Sequence, residues 1–547
     1  MPRTLKSQWP VVIVIVSFLA LVSLLVLDAE RRNAGTMVYA LDDAYIHMAI
    51  AKSAGEYGTW GITRFEFTSA TSSPLWTALI AAVYSLIGTS AFVPLVLNVI
   101  AGIALLCVSG AALARNLLDS RLVFCGLLSV LLITPMPALA LSGMEHLLHA
   151  AIAVAVSYLA SSILTGESNA HHERLLIAAA PLLTSLRYEG LFELLVVCGA
   201  LVIAKRRWQL AFAIGAAGAL PIVLYGLWSM SHGWQFFPNS VLLKAVRLDF
   251  SFRGVARMVT GQQAVATLYR TPHLLVLVVA ALALLFRSSR RGRAWDHPSF
   301  ALVLFVGTAL LHAQFADVGW FYRYEAYLVA LGIVAHWESV ESYAVPEFRT
   351  MKALPRLAIA AVLAIIVLRP LELRARASLL MASRASTNIF EQQYQMGQFL
   401  NASYRGSTVA VNDIGAVAYL GSDLRIVDLW GLASRDVASL RMTNSYDSDA
   451  IQSLANLADV KVAVVYDRWF ERFGGIPKQW HKVGAWTIAN NVVAGGDTVS
   501  FYAVDPSERE RLAENLRSFA RRMPPSVRQT GEYVLGNSFV SNSVARE

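Results

Sequence analysis

Apolar runs recur from Val11 to Leu368, and several are long enough to cross a hydrocarbon core, which takes roughly 20 residues of helix. No other feature constrains the fold as strongly. Of 547 residues, 56% are hydrophobic and only 15% charged, where a soluble domain carries roughly a quarter charged. The mean hydropathy is +0.51. After Arg369 the texture changes, and from about residue 390 polar and apolar residues mix as in a soluble domain. The sequence therefore reads as an α-helical polytopic membrane protein with a C-terminal soluble α/β domain. Residues 1–385 form the transmembrane part and 386–547 the soluble part.

The candidate spans are 11–27, 91–114, 121–141, 147–164, 174–186, 189–204, 209–228, 273–286, 299–316, 324–338 and 355–370, about eleven transmembrane helices. The first follows Arg3 and Lys6 but leads to Asp28-Ala29-Glu30-Arg31, with no small-residue cleavage pattern, so it reads as an uncleaved span. The run 74–88 is short and reads as interfacial or re-entrant. If it does not cross and the N-terminus is cytoplasmic, four short basic loops share the cytoplasmic side. They hold Arg115 and Arg121, Lys205 to Arg207, Arg287 to Arg293, and Arg349 with Lys352 and Arg356. That is the positive-inside pattern, and it accounts for most of the +9 net charge. The long loop 229–272 runs against it, being basic yet outside. This topology puts the tail and the polar segments 28–73, 142–146, 187–189, 229–272 and 317–323 on the outer face. The three cysteines lie in apolar runs, so the tail holds no disulfide.

Those outer segments hold the ionisable groups that can carry chemistry. Leu41-Asp42-Asp43-Ala44-Tyr45-Ile46-His47 opens an amphipathic helix, with Ile46, Ile50 and Ala54 on one face. Acids here cap a helix; alternatively one acts while the other orients it or holds a cation. Trp60 and Trp76 suit an interface belt or a stack on a sugar. Ser142-Gly143-Met144-Glu145-His146 places an acid at membrane depth, where ionisable groups are costly and point to function. Arg187 interrupts an apolar stretch beside Glu189 and either pairs with it or faces an anionic headgroup. Lys244 follows Trp234 to Ser240. Phe250, Phe252, Val255, Met258 and Val259 interleave with Arg253 and Arg257, as in a helix lying in the interface. Arg323 sits among the aromatics of 319–324. No nucleotide loop, zinc-protease or hydrolase-elbow motif occurs, and nothing suggests a nucleic-acid partner.

In the tail, Thr408–Val411, Leu424–Val427, Val462–Val465 and Ser500–Val504 read as strands, with helical stretches around 390–403 and 434–458. The first strand ends in Asn412-Asp413-Ile414-Gly415 and the second in Asp428. Acids there bind ligands or cap turns. Residues 507–547 are polar and read as partly disordered.

The acidic pair after the first span, the helix behind it, Thr71-Ser72-Ser73-Pro74-Leu75-Trp76 and Gly143-Met144-Glu145 together resemble the GT-C superfamily of membrane glycosyltransferases. The resemblance extends to bacterial protein mannosyltransferases, aminoarabinose transferases and arabinofuranosyltransferases, and takes in Asn412 to Gly415. It implies transfer of a sugar from a polyprenyl-phosphate donor to a hydroxyl on a glycan, lipid or protein acceptor. It also implies a bacterial plasma membrane, a cytoplasmic N-terminus and a periplasmic tail. The general base carries over to Asp42 or Asp43, with Asp42 preferred as first of the pair, and Glu145 becomes a supporting acid. Charge and side then nominate Lys244, Arg187 and Arg323 for the donor phosphate, and Trp60, Trp76 and His47 for substrate contact. Some members use a divalent cation such as Mg or Mn; Asp42 and Asp43 are its candidate ligands here. The competing readings are a transporter or lipid-linked-sugar flippase, and a membrane-anchored binding protein.

Overall fold

The computed structural model describes residues 8–167, 169–243, 251, 258–290, 296–343 and 353–534. Helices occupy all eleven candidate span ranges. Proline opens many of them, at Pro10, Pro94, Pro272 and Pro298, where its missing N–H costs no helical hydrogen bond. Among the described residues, six helices are long and apolar enough to cross a membrane: Trp9–Arg32, Val93–Asn116, His146–Leu164, Trp208–Ser231, Pro272–Arg290 and His297–Phe315. Ser120–Ile133 and Ala326–Val340 are apolar but shorter. Pro74–Ile87 is a helix of 14 residues, the short apolar element expected there. Arg115 pairs with Glu167, and Arg207 with Glu173, at the helix ends away from Asp42 and Glu145. The interface helix expected around 250–259 lies mostly outside the described residues.

The last long helix, Ala353–Ile389, runs on past the expected span and through the expected boundary at 385. It passes through a π-helical turn, Phe390–Tyr394, into Gln395–Ser403. A six-stranded sheet follows, built of β1 (Thr408–Val411), β2 (Arg425–Asp428), β3 (Val462–Val465), β4 (His481–Thr487), β5 (Thr498–Ala503) and β6 (Arg528–Gly531) in the order β2-β1-β3-β5-β4-β6. Strands β2, β1 and β3 are parallel and the rest antiparallel. Strands β4 and β6 were not legible in the sequence. Residues 508–531, expected to be partly disordered, hold helix Glu508–Phe519 and β6. Leu512, Leu516 and Phe519 pack into the sheet's core, so an amphipathic stripe overrides the polar composition.

The helix Asp42–Tyr57 joins the two parts. Ile46, Ala49 and Ile50 enter the core that Phe399, Val409 and Val417 build in the tail. Ala44, Tyr45 and Met48 pack instead with Ala138, Leu141 and Met144 of the helical bundle. This one helix of the loop after the first apolar helix is thus buried on both faces.

Candidate functional site

The adjacent acids Asp42 and Asp43 diverge, as consecutive helical residues must. Asp42 turns to the tail. Its Oδ2 accepts the backbone N–H of Gly415 at 2.6 Å, and its Oδ1 that of Ala416 at 2.8 Å. These are the first residues of helix Gly415–Leu420, whose exposed N–H groups and dipole favour a carboxylate. A Cβ on residue 415 would lie 2.1 Å from the Asp42 carbonyl oxygen, so glycine is required for this approach. Burial, and then the neighbouring Asp413, hold the Asp42 carboxyl well above the usual carboxylate range.

Asp43 turns to the bundle. Arg323 Nη2 donates to its Oδ2 at 2.6 Å. Arg323 is 2% exposed, yet its Nε and Nη1 meet no hydrogen-bond partner among the described residues. Buried donors without partners are expensive. The turn that delivers Arg323 is itself strained. Gly319, Trp320, Phe321 and Tyr322 all have positive φ, costing of order 1–2 kcal/mol for each side-chain-bearing residue. Glu325 accepts the N–H of Gly319 at 2.8 Å, and Arg374, paired with Glu325, donates to the Tyr322 carbonyl. These two buried residues clamp the turn.

Arg187 stands on the other side of the same space. It donates to Glu145 Oε1 at 2.8 Å and to Glu189 Oε1 at 2.6 Å, so the pairing with Glu189, one of the two alternatives open in the sequence, forms. Glu145 is fully buried and braces the arginine. Gly143 turns the chain there with φ +73°, close against the Tyr39 ring.

Two cavities meet at these groups. A cavity of about 770 Å³ lies between bundle and tail, lined by Asp42, Asp43, Gln393, Asp413, Trp430 and Trp469 among others. A second, of about 400 Å³, is mostly apolar, lined by Leu191, Phe192, Phe237, Val241, Leu242 and Phe315, with Arg187 and Arg323 in its wall. Asp43, Asp317 and Tyr324 line both.

The structure does not bring every candidate here. Trp76 is fully buried, with its Nε1–H 3.3 Å from the Gly143 carbonyl; it packs the protein and presents no face to a sugar. Trp60 donates to the Tyr225 hydroxyl at 3.3 Å and packs against Trp228, away from both cavities. His47 is buried against Thr71 and Thr77, with Nε2 3.9 Å from Glu145, and burial lowers its pKa. Trp76 and His47 are buried, Trp60 is half-buried, and none of the three lines either cavity. Lys244 lies outside the described residues. Asp42 and Asp43, the candidate ligands of a divalent cation, diverge: both Asp42 oxygens accept backbone N–H groups and Asp43 pairs with Arg323. Among the described residues, no three His, Cys, Asp or Glu side chains gather as metal ligands. Sequence reasoning missed Asp317, Tyr324 and the tail's Trp430 and Trp469. The one available signal was their position just past a span or strand end.

The overall fold is similar to that of a solved structure. ArnT from Cupriavidus metallidurans bound to undecaprenyl phosphate superposes with a TM-score of 0.54 at 14% identity, covering 92% of this chain and 99% of that one. Its apo form gives 0.52 at 14%, covering 90% and 98%. This chain has an ArnT-like fold. The oligosaccharyltransferase of Archaeoglobus fulgidus gives 0.46 at 11% identity, over 88% of this chain and 73% of that one. Residues 387–502 match a family model described as a domain of unknown function, DUF8728. No curated protein matches the sequence. The matched segment holds β1 to β5 and the tail residues that line the larger cavity.

Proposed function

We propose that this protein is a glycosyltransferase that moves a sugar from a polyprenyl-phosphate donor to a hydroxyl acceptor at the outer face of a bacterial plasma membrane. The observation that carries the reading is the shared wall: Asp43 borders both an apolar cavity with two buried arginines and a polar cavity roofed by the tail. The first suits an isoprenoid chain ending in phosphate, the second a hydrated acceptor. The relative with this fold, ArnT, is a structure bound to undecaprenyl phosphate, which supports the same donor class here. The basic helix ends opposite the site support the outward orientation.

The chemistry follows from the placement. The donor phosphate lies against Arg323, whose two unpartnered N–H groups then gain acceptors, with Arg187 beside it. The acceptor hydroxyl reaches the anomeric carbon from the larger cavity. As the new C–O bond forms, the bond to phosphate breaks and its electron pair leaves with polyprenyl phosphate. The arginines stabilise that charge, and Asp43 takes the hydroxyl proton. Asp42, which the sequence reading preferred as base, holds bundle and tail together instead. The Arg323 contact orients the Asp43 carboxylate. Membranes containing the wild type are expected to release polyprenyl phosphate from at least one member of a panel of radiolabelled polyprenyl-phosphate sugars. Arg323→Lys, which keeps the charge but loses the fork, is expected to lower kcat by about a hundredfold or more. Donor movement across the bilayer with no bond cleaved would favour a flippase instead.

A further inference from the structure

The carboxyl ends of three parallel strands open into the larger cavity, at the point where the chain order of the sheet reverses around β1. That is where open α/β sheets bind ligands. Here β1 supplies Asp413, the segment after β2 supplies Trp430, and the segment after β3 supplies Arg468, Trp469 and Arg472. Arg441 joins them from helix Arg435–Met442.

This end of the cavity is cationic and rigid. The Arg441 guanidinium lies 4.1 Å and that of Arg472 4.9 Å from the Trp430 ring centre. The Trp430 and Trp469 rings sit 4.5 Å apart, and Trp469 Nε1–H is fixed to the Gly495 carbonyl at 2.7 Å. Stacking leaves the in-plane N–H donors of Arg472 for a ligand, whereas Arg441 Nη1 donates to the Trp430 carbonyl. Arg468 and Arg472 make no ion pair among the described residues. The helical-bundle side of the same cavity carries Asp43 and Asp317. One cavity, within the size range of small-molecule sites, thus has an acidic side at the proposed reaction centre and a basic, aromatic side in the tail.

We infer that the tail forms an acceptor subsite for an acidic saccharide, its phosphate or carboxylate held by Arg468 and Arg472 and a sugar ring set against Trp469. The accepting hydroxyl then lies toward Asp43. This deepens the glycosyltransferase reading and rests on it for the word acceptor, but the binding itself does not need catalysis. The site selects acceptors by charge, so the tail takes part in specificity as well as roofing the cavity.

Isothermal titration of the full detergent-solubilised chain tests this with three probes: maltotriose, maltotriose carrying one phosphate monoester, and a trisaccharide ending in glucuronate. An acidic probe is expected to bind at least about tenfold tighter than maltotriose, in line with charge-assisted hydrogen bonds to arginine. Which acidic probe wins separates phosphate from carboxylate. Arg468→Gln with Arg472→Gln, both exposed and so of small cost to folding, is expected to abolish that preference. In the transfer assay the same double variant raises KM for an acidic acceptor and leaves KM for the donor in place. Equal binding of all three probes, or an unchanged preference in the double variant, overturns the subsite. Selective binding without transfer from any donor supports the subsite and counts against the glycosyltransferase reading.

Discussion

Asp42 caps a helix that begins at Gly415, 373 residues further along the chain, at 2.6 Å. The loop that follows the first apolar helix and the tail are therefore one unit, and the tail's β1 end is held over Asp43. The adjacent acid is left to face Arg323 and the two cavities.

Gly415→Ala tests that joint. Its Cβ would meet the Asp42 backbone at 2.1 Å, and backbone does not move aside as a flexible side chain does. Overpacking of this kind costs about 1–3 kcal/mol. The expected result is a lower unfolding temperature together with reduced sugar transfer. An unchanged melting profile would show that the helix does not dock on Asp42.

The same joint makes stability depend on pH. Burial, and then Asp413, raise the Asp42 carboxyl well above its ordinary value. The folded protein thus keeps a proton that the unfolded chain has lost. Its stabilising contribution is complete below about pH 4 and declines as pH rises from there to the raised value. Asp428, pushed up to about 6 by burial, acts in the same direction up to that pH. Asp42→Asn cannot titrate, so its unfolding temperature is expected to fall less steeply than that of the wild type between pH 4 and 7. Parallel curves for the two proteins contradict the coupling.

Trp76→Ala separates a packing tryptophan from a sugar platform. The ring is fully buried, and its loss is expected to cost about 3–5 kcal/mol of stability with little change in KM for either substrate. A raised KM with normal stability would restore the substrate role.

The sequence showed the helical bundle and the residues at span ends because lipid forces a simple rule: long apolar runs cross, and ionisable groups among them need a reason. Asp43, Glu145, Arg187 and Arg323 stood out on that ground. What it did not show is which of two neighbouring acids faces which partner. That choice is made by Gly415 and Arg323, distant in the chain. Nor did it show the cluster of Trp430, Trp469, Arg441 and Arg472. Each reads alone as an ordinary surface or core residue, and only the parallel order of β2, β1 and β3 brings them to one end of a cavity. Strands β4 and β6 were missed because Gly, Lys, Gln and Arg interrupt the apolar alternation that marks a strand.

The central claim is that Asp43 is the base and Asp42 the joint. Sugar transfer from a polyprenyl-phosphate sugar should be measured for wild type, Asp43→Asn and Asp42→Asn, each with its melting curve. The account predicts that Asp43→Asn stays folded and loses about 10²- to 10⁴-fold in kcat, while Asp42→Asn keeps most of its transfer and changes its pH-dependent stability. Transfer by Asp43→Asn at the wild-type rate, or loss confined to Asp42→Asn with its fold intact, would contradict it.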